Sequence, residues 1–156
     1  MSKLIKQLID SGYLKTPEII NAFYKIKREE NIKEILERLN LYKRRNEKIY
    51  TFSKGMKRKL CIAKAILCEP DILFLDEPFE GIEIEARREI KEVLLELKNK
   101  MKIIFLTSHN LYEIEPLCTS FGIIINGVLK GKWNKKDLKD INLEEFYFKI
   151  KNENSY

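Results

Sequence analysis

Two adjacent carboxylates, Asp76 and Glu77, are the strongest sign of chemistry in this chain. They close the apolar run Ile72-Leu73-Phe74-Leu75 and are followed by Pro78. A short apolar strand ending in two acids delivers both to the carboxyl edge of a sheet, where open α/β folds bind their ligands. There the first acid can hold Mg²⁺ through water, and the second can act as a general base that orients water against a phosphate. Two exposed turn carboxylates are the plainer alternative. Upstream, Ser53 precedes Lys54-Gly55-Met56-Lys57-Arg58-Lys59-Leu60, the pattern of a serine N-cap on a basic amphipathic helix. His109, the only histidine, follows the apolar run Ile103 to Leu106 and Thr107-Ser108. A lone histidine is more often structural than functional. One group is missing from the sequence: no GxxxxGK[ST] string, the glycine loop that grips β- and γ-phosphates, occurs in the 156 residues.

The elements that must position these residues alternate. Leu4, Ile5, Leu8 and Ile9 share one helical face over residues 2–10, and Thr16-Pro17 opens a second helix that carries Ile19, Ile20, Phe23 and Ile26. Ile32, Ile35, Leu36 and Leu39 predict a third helix over 31–41, followed by a charged connector over 42–50. Next come a helix over 54–68 closed by Glu69-Pro70, a strand over 72–76, a helix over 85–100 and a strand over 103–107. A helix over 111–118 leads to a strand over 121–125, and Asn126-Gly127 signals a type I′ hairpin returning through 128–130. Strands alternating with helices predict a parallel sheet, with the antiparallel hairpin at its edge. From 137 onward the tail reads as a short helix and a polar strand or disordered end.

A chain of this length can bury a core. At 44% hydrophobic and 35% charged it reads as globular. No apolar run reaches the ~20 residues of a membrane-spanning helix, and the amino terminus lacks the apolar core of a secretion signal, so the cytoplasm is expected. Cys61, Cys68 and Cys118 share no metal-ligand spacing; Cys61 and Cys68 are expected to pack as small apolar residues. Residues 1–60 hold 16 Lys/Arg against 7 Asp/Glu, and the remainder 14 against 17. The basic residues are interspersed with acids and lack interleaved aromatics, so a solvated helical face is expected rather than a nucleic-acid site.

Taken in order and spacing, TFSKGMKRKL, DILFLDEP and IIFLTSHN resemble the second half of an ABC-type ATPase domain: signature, Walker B, and the loop bearing a switch histidine. The SKGM variant resembles the drug and antibiotic exporter branch. The resemblance covers roughly residues 31–133. It implies an α/β fold, an incomplete P-loop NTPase or ABC ATPase fold lacking the Walker A half, preceded by a helical segment over 1–30. That segment resembles the first helices of protein-L-isoaspartate methyltransferases, though no glycine-rich cofactor loop follows it. Residues 134–156 form a tail. The resemblance further implies that Ser53 and Gly55 contact the γ-phosphate of an ATP held by an opposite subunit, that Asp76 holds Mg²⁺, and that Glu77 and His109 serve hydrolysis. Phe79-Glu80-Gly81-Ile82-Glu83 stands where the family has its D-loop, with Gly81 kept. ATP and Mg²⁺ are the implied cofactors, bound weakly or not at all by this chain alone. The implied partners are a membrane permease and a complete ABC ATPase subunit, at the inner face of the cell membrane, with no nucleic acid. Three outcomes are open: a truncated subunit inactive alone or a gene remnant, a partner that donates its signature in trans, and a basic nucleic-acid-binding module.

Overall fold

The computed structural model describes residues 29–67, 69–98 and 103–153. The helices expected over 2–10 and from residue 17 onward, and Cys68, lie outside the described residues. The chain divides into two compact units, the first ending at Thr107 and the second running from Ser108.

In the first unit, helix α1 (Glu29–Arg38) presents Ile32, Ile35 and Leu36, and the turn after it Leu39, all buried. It ends three residues before the expected boundary because Asn40 turns left-handed at φ 52°. The Asn40 N–H then reaches the Glu37 carbonyl at 3.0 Å and the Leu41 N–H the Leu36 carbonyl at 2.7 Å, which satisfies two otherwise orphaned acceptors. Leu41 is thereby tucked under the helix end, fully buried. The connector contains two single 3₁₀ turns, Tyr42–Arg44 and Ile49–Thr51. Helix α2 (Lys54–Leu67) packs on α1, and on helix α3 (Ile84–Lys98), whose Ile90, Val93 and Leu94 are at most 2% exposed. One polar node lies within this helical layer. Lys59 Nζ donates to Glu89 Oε2 at 2.5 Å, and the Asn40 side chain donates to Glu89 Oε1 at 2.6 Å, so the end of α1 and both other helices meet at one carboxylate. Cys61, expected inside, is exposed: on α2 the core stripe is Leu60, Ile62 and Ala63, and Cys61 points away from it.

Strands β1 (Ile72–Asp76) and β2 (Ile103–Thr107) pair in parallel, Ile72 opposite Ile103 through Asp76 opposite Thr107. Leu73 is buried on one face. The other face carries Ile72, Phe74, Ile103 and Phe105, at 46%, 71%, 51% and 56% exposure. Phe74 and Phe105 lean on each other there, with centroids 5.7 Å apart.

The second unit begins with a short helix, α4 (Leu111–Ile114), capped by the Asn110 side chain, which accepts from the Glu113 N–H. It stops four residues short of the expected 118 because Pro116 has no N–H to continue the ladder; Leu117 and Cys118 instead donate back to the Ile114 carbonyl. Strands β3 (Ser120–Ile125) and β4 (Val128–Asn134) form the expected hairpin, Asn126 and Gly127 both at positive φ (52° and 75°). β4 extends to Asn134, past the expected 130. The hairpin is a two-stranded sheet of its own, not the edge of the parallel pair. A two-residue turn closes β4 onto β3 with little loop entropy, and their ladder runs from Ser120–Asn134 to Ile125–Val128. The tail, expected as a short helix and a polar strand or disordered end, forms a 3₁₀ turn (Lys135–Leu138) and helix α5 (Leu143–Glu153), with no strand among its described residues. Leu138 and Leu143 are buried, and Phe146 packs edge-on against Phe121 and Trp133, with centroids 5.5 and 5.2 Å away. The alternating polar residues of the tail therefore sit on the outer side of a helix rather than along a strand.

Candidate functional site

Asp76 ends β1 with its carboxylate exposed. The parallel register sets Thr107 of β2 beside it, and the Thr107 hydroxyl donates to Asp76 Oδ1 at 2.5 Å. The same hydroxyl oxygen accepts from the Glu77 N–H at 3.3 Å. Glu77 is half-buried and holds φ at 44°, a left-handed conformation that costs a non-glycine residue strain and that collects at functional sites. The turn ends the strand and leads the chain into Pro78 and Phe79, both buried. Sequence reasoning singled out Asp76 and Glu77, which are neighbours in the chain, and missed Thr107. The missing signal was register: only when the two strands are aligned end to end does Thr107 fall opposite Asp76.

The second group is the start of α2. Ser53 caps the helix, its hydroxyl accepting from the Met56 N–H at 3.2 Å and its carbonyl accepting from the Lys57 N–H at 3.0 Å. The Ser53 side chain is therefore an N-cap in this structure, exposed at a helix end whose remaining N–H groups favour an anion. Gly55 is buried. A Cβ added to it would stand 3.0 Å from Ala86 Cβ and 3.7 Å from Glu83 Oε2, so close approach of α2 and α3 accounts for glycine here without any ligand. Gly81 sits at φ 63° in the loop after Pro78, and a Cβ on it would collide with Lys54 Nζ. Lys54, the residue after the Ser53 cap, thus lies over Gly81. Beside this turn Arg44 grips Glu47 through Nε at 2.6 Å and Nη2 at 2.5 Å, and donates from Nη1 to Met56 Sδ at 3.8 Å. That hydrogen bonding holds the Glu47 carboxyl below the ordinary carboxylate range and raises Arg44.

His109 is exposed and belongs to the second unit, two residues after Thr107, just ahead of the Asn110 cap of α4. Among the described residues no cluster of His, Cys, Asp and Glu has the makings of a metal centre on its own, and no helix is long and apolar enough to cross a membrane.

A strand-end carboxylate followed by an acid in a tight left-handed turn, and a serine-capped helix packed on the following loop, are the features on which the sequence resembles an ABC nucleotide-binding domain. The comparisons agree. A family model described as "ABC transporter" matches residues 4–80. The linearmycin resistance ATP-binding protein LnrL of Bacillus subtilis is 39% identical over 105 residues, covering 67% of this chain and 34% of the relative. ABC transporter A family member 1 of Dictyostelium discoideum is 38% identical over 112 residues, covering 72% of this chain and 13% of the relative. A solved ATP-binding subunit of an ABC transporter superposes with a TM-score of 0.71 at 30% identity, covering 88% of this chain and 62% of that subunit. The chain belongs to the ABC transporter ATP-binding family. It spans about a third of LnrL and about an eighth of the longer Dictyostelium relative. The family match begins at residue 4 and so runs through the segment expected to be methyltransferase-like, a resemblance to which the comparisons lend no support.

Proposed function

We propose that this chain supplies the signature and Walker B half of an exporter-like ABC nucleotide-binding domain, and that it works on ATP only when a phosphate loop on another stretch of polypeptide joins it. One observation carries the reading. Alternate residues of paired strands share a face, so Ile72, Phe74 and Asp76 of β1 line up with Ile103, Phe105 and Thr107 of β2. Parallel sheets are covered on both faces, and among the described residues this one leaves its aromatic face open. A strand-and-helix segment laid over Phe74 and Phe105 would abut Asp76.

The donor set fits a hydrated Mg²⁺: Asp76 is exposed, its Oδ1 is fixed by Thr107, and its other oxygen is left for water of the ion's shell. When bound, the ion would offset charge on phosphate oxygens. Glu77 would orient water, Ser53 with the α2 amides would face a γ-phosphate, and His109 would serve as the switch residue. ATP itself does not fit this chain alone, because nothing in the sequence supplies the glycine-loop grip on its phosphates. The exporter-like assignment leans on the SKGM signature and on the resistance function in the LnrL name. A permease at the inner face of the membrane would be the corresponding partner.

Calorimetry with Mg·ATP should show no micromolar binding by the purified chain, and no turnover. Adding the phosphate-loop part of LnrL should produce ATPase activity that Glu77→Gln removes. Turnover by the chain alone, lost on Glu77→Gln, would refute the reading.

Exposure of Ser53 at the start of α2 supports a second reading, in which the chain donates its signature in trans to a complete subunit. Stimulation of that subunit should then be lost on Ser53→Arg, since one donor aimed at developing charge is worth about 2.7–4 kcal/mol, or ~10²–10³ in rate. Glu77→Gln should matter far less in that assay.

A further inference from the structure

We infer that Thr107 is a positioning residue for the Walker B carboxylate: its hydroxyl fixes the orientation of Asp76 toward a divalent cation and holds the left-handed turn at Glu77. The inference rests on the reading of Asp76 as the cation-bearing acid. A single hydroxyl does both tasks because it donates and accepts at once, giving its proton to Asp76 Oδ1 at 2.5 Å and taking the Glu77 N–H at 3.3 Å. Its place is fixed by backbone geometry. Asp76 and Thr107 are the last register pair of the parallel ladder, so their side chains emerge side by side from the same face.

Two consequences distinguish this arrangement from an ordinary strand-end hydrogen bond. A carboxylate on an exposed strand end samples several rotamers, and a cation held through water needs one of them; carboxylates that carry metals are themselves hydrogen-bonded for this reason. With Oδ1 committed to Thr107, Oδ2 is the oxygen left to meet a hydrated cation. Glu77 holds φ 44°, and the left-handed region is unfavourable for a residue with a long side chain. The bond from its amide to Thr107 offsets part of that strain and points the chain into Pro78.

Valine has the shape of threonine without the hydroxyl, and serine keeps the hydroxyl without the methyl. The test uses the full chain, Mn²⁺ alone as the probe, and paramagnetic broadening of backbone amide signals by NMR, with hydrogen exchange at Glu77 as a second readout. In the wild type, broadening should centre on the amides around Asp76, and Asp76→Asn should abolish it. Thr107→Val should raise the half-saturating Mn²⁺ concentration several-fold and speed exchange of the Glu77 amide; Thr107→Ser should restore both. Equal Mn²⁺ midpoints for the wild type and Thr107→Val overturn the inference and leave the metal reading of Asp76 standing. Broadening that survives Asp76→Asn, or none in any variant, overturns the metal reading and this inference with it. A Thr107→Ser variant that behaves like Thr107→Val overturns the hydroxyl's role.

Discussion

The helices of the first unit are built from mixed sequence and its strand pair from nearly continuous apolar runs, yet among the described residues it is the helical layer that is closed. α1, α2 and α3 bury Leu36, Leu39, Leu41, Ile90 and Leu94 to 1% exposure or less, and they even enclose the Lys59–Glu89 ion pair. β1 and β2, a few residues away in sequence, leave Phe74 71% exposed. A helix has one apolar stripe, which three helices can bury against one another. A parallel strand has two apolar faces and needs a layer on each. Helix packing can therefore be completed within a short chain, while a two-stranded parallel sheet asks for more polypeptide.

The sharpest way to break this contrast is to uncouple the buried node. Glu89→Leu leaves Lys59, 7% exposed, as an uncompensated charge and should cost about 3–5 kcal/mol in urea unfolding. Adding Lys59→Met to it should recover most of that loss. If the double variant is as unstable as the single one, the helical layer depends on more than packing around this node. Next in size, Leu94→Ala in the closed layer should cost about 2–5 kcal/mol by the same measurement. Phe74→Ala on the open face should cost well under that, within ~1 kcal/mol, because the ring loses little burial on truncation. Comparable losses at Leu94 and Phe74 would mean that the face is covered in solution. The smallest effect is expected at Glu47, a partly exposed residue whose carboxyl is held low chiefly by the Arg44 hydrogen bond. A depressed folded-state pKa contributes stability above the ordinary carboxylate value of 4.5 that is lost as pH falls through the folded value. Glu47→Gln should therefore leave neutral-pH stability within error and slightly flatten the acid limb of a stability–pH profile. A steeper acid limb in the variant would contradict that sign.

Much of this was legible in residue order. Periodicity located the α2, β1, α3 and β2 segments, and Asn126-Gly127 named its own turn, because those signals are local. The acids of the site were legible for the same reason: they terminate an apolar run. What escaped was set by partners distant in sequence. Thr107 mattered only once β2 was aligned with β1, and Gly55 proved to be a contact glycine only once α3 brought Ala86 against it. Two boundary errors were local but quieter. Asn40 ended α1 by adopting a conformation that asparagine tolerates, and Pro116 cut α4 short by lacking a donor. The tail was legible in part: a short helix was expected, but the strand expected after it was not found, because Leu143 and Phe146 lie three residues apart, a helical spacing diluted by flanking Glu and Lys.

Trp133 is the only tryptophan in the chain. Its ring lies over Gly131, where an added Cβ would come within 2.6 Å of Cη2, and it is flanked by Phe121 and Phe146. Indole emission from this protein is therefore a private reporter of the segment from Ser108 onward. The helices before Thr107 dominate ellipticity but contribute no indole signal. Following fluorescence and ellipticity through one denaturant series would separate the melting of the two halves without a label, and coincident curves would show that they unfold as one cooperative body.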